Sequence, residues 1–155
     1  KFFFLAKKNY NKNILILLPL PRHYGGNLLD HMAMVNYIKR NYDLKNCIIL
    51  IKNHPSDNEY HTIFEKLLSE FQIHYWHEVY ERNLPIELIT IPFMERIKLI
   101  STGTTAIYTI KASSSIIFWP SDSLARKLAR NNYAPSANFL GIKQIFIEKN
   151  GDYVE

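Results

Sequence analysis

Several short stretches of the chain combine residue types that hold or move negative charge. The first is Lys52-Asn53-His54-Pro55. An imidazole donates a hydrogen bond to a phosphate oxygen, and as imidazolium it can give a proton to a leaving group. Lys52 adds a point charge two residues away, and a surface histidine in a turn is the plain alternative. The second is Ser101-Thr102-Gly103-Thr104-Thr105. Its four hydroxyls and one glycine precede an expected helix, where side-chain and backbone donors together favour a phosphate. It has no Walker lysine and is not a P-loop. Ordinary N-capping explains one of those hydroxyls but not all four.

Two further stretches are weaker. In Leu84-Pro85-Ile86-Glu87-Leu88 a carboxylate stands at an apolar helix start, where it could accept from ribose hydroxyls or simply favour the helix dipole. Arg22, Gly25 and Gly26 follow Pro19 and Pro21, and adjacent glycines let backbone amides approach a ligand. A plain strand-to-helix turn accounts for them equally, and the spacing is not that of a dinucleotide fingerprint.

Other clusters do not assemble. His54, Asp57, Glu59 and His61 are close in sequence without a metal-ligand spacing. Cys47 sits in an apolar run with no base nearby, which suits a core thiol. His74 and His77 fall on or beside an expected strand. Tyrosine and phenylalanine are abundant, yet no ribonucleoprotein-type aromatic pattern appears, so no nucleic-acid partner is expected.

The candidate stretches all lie at the ends of short apolar runs. Ile14-Leu15-Ile16-Leu17-Leu18 has the length and continuity of a strand buried on both faces, and prolines end it. A helix is expected over residues 27–42, with Leu28, Met32, Val35 and Ile38 at helical spacing. Residues 46–51 form a second buried strand, and Ser56 or Asp57 caps a helix to residue 68. A third strand is expected over 72–76 and a short helix over 85–91, with Pro85 at its first position. Residues 98–101 form a fourth strand, 103–111 a helix, and 115–119 a fifth strand. Ser121 or Asp122 caps a basic amphipathic helix to Arg130, and a last strand covers 142–147. That helix offers either a solvated face or a rest for anionic lipid. Alternation of buried strands and helices predicts a Rossmann-like α/β domain, a parallel sheet with helices on both faces. In such sheets ligands bind outside the carboxyl ends of the strands, where the candidate stretches fall.

Composition agrees with a single domain over residues 1–155. The chain has 155 residues, 47% of them hydrophobic and 21% charged, which excludes a disordered or collagen-like polymer. A chain of this size buries about two-thirds of its unfolded surface, so it needs no disulfide or metal staple. The single cysteine excludes a disulfide framework and suits a reducing compartment. Lys and Arg number 19 against 14 acids, a net charge of +5 that favours anionic partners. No apolar run is long enough to cross a bilayer, and no signal peptide is visible.

The ordered set Lys-x-His-Pro, Pro-x-Glu and Ser/Thr-rich turn resembles the nucleotide-binding C-terminal half of bacterial GT-B sialyltransferases. The similarity, over roughly residues 14–120, is to the lipooligosaccharide sialyltransferases of glycosyltransferase family 52 and the related polysialyltransferases. It implies that His54, with Lys52 and Pro55, contacts the phosphate of CMP-sialic acid. Thr104 and Thr105, or Ser101 and Thr102, flank Gly103 as the paired hydroxyls, and Glu87 takes the ribose. It further implies metal-independent, inverting transfer to a glycan acceptor such as lipooligosaccharide or capsule, with CMP as product and no cofactor. The expected setting is the bacterial cytoplasm, with peripheral contact to the inner membrane and room for a homodimer. The family's paired serine is Thr-Thr here. Its general base belongs to an N-terminal half that this chain lacks, which implies that the chain is part of a two-domain enzyme. CDP-glycerol and CDP-ribitol polymer transferases share a His-Pro and a Ser-Ser, but their Asp-x-x-Ser-Ser pattern is absent, since Glu95 lies six residues before Ser101. A non-catalytic nucleotide- or partner-binding α/β domain is the alternative from another class.

Overall fold

The computed structural model describes residues 7–20, 26–52, 54, 69, 73–75, 85–120, 124–148, 150 and 152–154. The strands are β1 (Asn13–Leu18), β2 (Cys47–Ile51), β3 (Ile73–Tyr75), β4 (Ile97–Ser101), β5 (Ser114–Pro120), β6 (Lys143–Ile147) and β7 (Tyr153–Val154). They form one sheet in the order β3-β2-β1-β4-β5-β6-β7. Every pairing from β3 to β6 is parallel, and only β7 runs antiparallel to β6. β1 lies inside the sheet between β2 and β4, and it can do so because it has no polar side chain between Ile14 and Leu18, all five of which are buried.

Alternation along the strands divides the core in two. Leu15, Leu17, Ile49, Ile51, Ile116, Phe118 and Ile145 meet Met34, Tyr37 and Ile38 of helix α1 (Leu28–Asn41). Ile14, Ile16, Leu18, Ile48, Leu50, Leu99, Ile117 and Trp119 form the opposite face. There they pack with Ile86 of α2 (Ile86–Thr90), with Ile107 and Ile110, and with Ala137 of α3 (Leu124–Phe139). The two-sided cover follows from chain direction. The β1-to-β2 crossover moves one way along the sheet, and those from β3 to β4, β4 to β5 and β5 to β6 move the other way. Crossovers of one hand in opposite directions must lie on opposite faces. The domain is therefore a Rossmann-like, mostly parallel sheet with helices on both faces.

The expected strands appear within a residue or two of their predicted bounds, but several features differ. β7 was not expected, so the sheet is mixed and not wholly parallel. Over 103–111 there is no α-helix, only a single 3₁₀ turn, Thr105–Tyr108. Its run of Thr104, Thr105, Ile107, Thr109 and Ile110 is β-branched at most positions and costs χ1 freedom in a helix. α2 begins at Ile86, one residue after Pro85. α3 continues through Pro135 to Phe139, well beyond Arg130. The buried face of α1 centres on Met34, Tyr37 and Ile38, while Leu28 is exposed. Arg22, Gly25, Pro55 and the helix expected from Ser56 or Asp57 lie outside the described residues, as do Ser121 and Asp122.

Candidate functional site

The order β2-β1-β4 makes β1 the strand from which the chain leaves in one direction and to whose other side it later returns. A sheet of this topology opens a crevice at the carboxyl ends of those strands. Register places the ends level: Leu18 pairs with Ser101, and Leu17 with Ile51. Beyond the last pairs the backbone continues to stitch the loops together. Lys52 N donates to Leu17 O at 3.0 Å, and Thr102 N donates to Leu18 O at 3.2 Å. Leu20 N then donates to Thr102 Oγ1 at 2.8 Å. The loops that follow β1, β2 and β4 thus leave the sheet from adjacent positions.

Lys52 is the notable cation at this edge, since it is only 7% exposed. A buried ammonium is costly unless anions or dipoles compensate it. Its position follows from the sequence: the apolar run of β2 carries the chain up through the core and ends on the lysine itself. His54, two residues on, is exposed. This edge therefore presents a sheltered positive charge and an accessible imidazole close together in the chain.

The Ser/Thr loop is built differently from the sequence expectation. Ser101 and Thr102 are fully buried. Ser101 Oγ accepts from Gly103 N at 3.2 Å and Thr104 N at 3.0 Å, and it shares a hydrogen bond with Thr104 Oγ1 at 2.9 Å. Thr102 spends its hydroxyl on Leu20. Gly103 adopts φ +107°, a region that residues with a Cβ rarely enter, and this lets the loop fold back on Ser101. Ser101 and Thr102 thus shape the loop, Thr104 lies at its half-buried rim, and Thr105 is exposed. Because only one 3₁₀ turn follows, the helix dipole expected to back these hydroxyls is missing, and their own groups must supply any attraction.

Glu87 lies on α2, where its Oε1 accepts from Thr109 Oγ1 at 2.8 Å. Thr109 closes the 3₁₀ turn that leaves the Ser/Thr loop, so Glu87 is held by the same crossover that carries Ser101 to Thr105. Gly26 is buried immediately ahead of α1, whose first turn is fixed by reciprocal bonds between Asn27 and Asp30. Leu20 and Thr109 were not expected to matter. No spacing links 20 to 102 or 87 to 109, and only the fold brings each pair together.

The topology defines the class as a Rossmann-like α/β domain, with Lys52, Ser101 and Thr102 buried at the carboxyl ends of its strands. No protein-family model matches the sequence, and neither a curated protein nor a solved structure matches it. Among the described residues, no three His, Cys, Asp or Glu side chains come together as a metal site.

Proposed function

We propose that this chain is a nucleotide-sugar donor-binding domain, and specifically the CMP-sugar-binding half of an inverting, metal-independent sialyltransferase. The observation that carries the reading is the sheltered Lys52 at the carboxyl end of β2, beside the β1–β4 crevice and two residues from the exposed His54. Lys52 and His54 would meet the phosphate of the donor. Thr104 and Thr105 would add hydroxyl donors from the neighbouring loop, and Glu87, held by Thr109, would take the ribose. The order of the motifs in the sequence supports cytidine and sialic acid over other donors.

In the reaction so proposed, an acceptor hydroxyl of a cell-surface glycan attacks the anomeric carbon. The bond from that carbon to the phosphate oxygen breaks, and its electron pair leaves with CMP. Lys52 and His54 stabilise the growing negative charge, in the way that fixed donors stabilise an oxyanion. The base that deprotonates the acceptor would come from the other half of the longer enzyme. In this reading the domain works at the cytoplasmic side of a bacterial inner membrane, alone or as a homodimer.

Thermal unfolding with CMP, CDP, UMP and UDP tests the proposal on this chain and on His54→Ala. Ligand at 100 times its dissociation constant adds about 2.7 kcal/mol. In a domain of this size that raises the midpoint by roughly 5–10 °C. A shift with cytidine nucleotides that is lost in His54→Ala is the expected result. His54 is exposed, and circular dichroism checks that its replacement leaves the fold intact. Equal shifts with uridine nucleotides would remove the cytidine assignment, and no shift at millimolar nucleotide would favour a scaffold domain.

A further inference from the structure

The amino ends of the strands, opposite the crevice, gather positive charge around one rigid turn. Lys12 N donates to Asn9 O at 3.0 Å and closes the turn that feeds β1. Arg96, just ahead of β4, donates from Nη2 to Asn9 O at 2.6 Å and to Lys12 O at 2.8 Å, and from Nε to Lys12 O at 3.1 Å. A guanidinium fork fixed to two carbonyls leaves the turn little freedom. The turn carries Tyr10, which is 78% exposed, and the exposed Lys7 and Lys8 precede it.

The same edge holds more cations. Lys45 lies just ahead of β2, whose first residue Cys47 pairs with Asn13 beside Lys12. Lys111 lies ahead of β5, where Ser113 N reaches Ile97 O. Among the described residues the carboxylates at this edge are Asp43 and Glu95. Asp43 accepts from Lys45 N and Asn46 Nδ2, so part of its capacity is spent within its own turn.

We propose that this edge docks onto an anionic lipid bilayer, with Tyr10 seated at headgroup level and Lys7, Lys8, Lys12, Lys45 and Lys111 facing the lipid phosphates. A tyrosine ring with an apolar body and a polar tip suits the bilayer interface, and lysines beside it draw anionic headgroups. A single-stranded nucleic acid would instead need a row of exposed rings for stacking. Among the described residues no such row lies beside Tyr10, and Tyr37, Phe118 and Tyr153 are packed edge to face on one another over the α1 side of the sheet. Docking by the amino ends of the strands leaves their carboxyl ends, and the crevice there, turned away from the bilayer. The inference does not depend on which nucleotide, if any, that crevice takes.

The test is co-sedimentation of the chain with phosphatidylcholine vesicles, with and without phosphatidylglycerol, at low and high salt. The expected result is binding that requires phosphatidylglycerol and falls steeply with salt. At about 1 kcal/mol per lysine near the surface, each of Lys7→Gln, Lys8→Gln and Lys45→Gln weakens partitioning roughly fivefold. Tyr10→Ser weakens it further at unchanged charge. Circular dichroism confirms that each variant is folded. Four outcomes would overturn the proposal: no binding, equal binding to neutral vesicles, loss of binding with Lys127→Gln in α3 but not with the Lys7 and Lys8 variants, or tighter capture by a single-stranded oligonucleotide than by the anionic vesicles.

Discussion

Tyr42 closes α1 with its ring packed against Tyr37 at 6.3 Å and against the apolar layer beneath. Burial pushes its hydroxyl up from 10.0 to about 12, and the nearby Tyr37 and Cys47 push the same way. Burial likewise raises the Cys47 thiol above 9.0, with Asp43 adding to the shift and Lys12 opposing it. Both groups keep their protons more tightly folded than unfolded. The stability they contribute is fully present below pH 9 and falls as pH rises toward 12, because the unfolded chain ionises first. Guanidine midpoints measured from pH 8 to 11.5 are expected to fall most steeply above pH 10, and Tyr42→Phe should flatten that upper slope. An unchanged slope in the variant would mean that Tyr42 is not the buried phenol responsible. At this scale the sequence was legible in residue type and not in partner. The buried thiol of Cys47 followed from its apolar run, and Lys52 was marked by its place at a strand end. Nothing in the chain announced that Ser101 and Thr102 would turn their hydroxyls inward to hold Gly103, Thr104 and Leu20.

Among the elements, α3 ends in a way that shows what decides a helix boundary. Gly141 adopts φ +67°, its N–H bonds to Asn138 O at 3.1 Å, and Ile142 N bonds to Ala137 O at 2.9 Å. This is a Schellman closure, and the side chains that flank it, Ala137 and Ile142, are both buried in the layer that holds Trp119. Burial at the far end draws the helix past Pro135, whose missing N–H would otherwise favour a stop. Reading the helix only to Arg130 missed this, although a glycine just past an apolar residue was there to find. Gly141→Ala places a Cβ in the left-handed region and should cost about 1–2 kcal/mol by urea unfolding. Nothing lies within 4 Å of that added Cβ, so a loss of this size would reflect backbone strain and not a clash. A midpoint equal to that of the parent would refute the closure. β1, β2 and β5 were the elements most plainly written in the sequence, because their stretches buried on both faces (residues 14–18, 47–51 and 116–119) carry no charged or strongly polar residue. The one-turn 3₁₀ segment Thr105–Tyr108 was not, since Ile107 and Ile110 at a spacing of three fit a helix or a single turn equally well.

For the molecule as a whole, the sheet must be closed at its β6 side, and the chain does this by returning on itself. Asn150-Gly151, the strongest short hairpin signal in the sequence, leads into β7, and Glu148 N donates to Asp152 O at 2.8 Å. β7 is only two residues long, too short to hold by pairing alone. Tyr153 anchors it: the ring meets Tyr37 at 5.4 Å and Phe118 at 6.2 Å, Arg40 stacks over it at 5.4 Å, and Asn41 Nδ2 reaches its hydroxyl at 3.4 Å. The last strand is thereby fastened to the first helix, which couples the outer edge to the central β2-β1-β4 strands that form the crevice. Tyr153→Ala should cost about 2–3 kcal/mol, less than a fully buried aromatic ring because this one is half exposed. Amide hydrogen exchange separates a local from a global effect. In the variant, amides of β6 should exchange through a local opening far faster than before, while those of β1 continue to exchange only by global unfolding. If β6 stays as slow as β1 in the variant, the strand holds without its anchor, and the aromatic cluster is packing rather than the tie between the two ends of the chain.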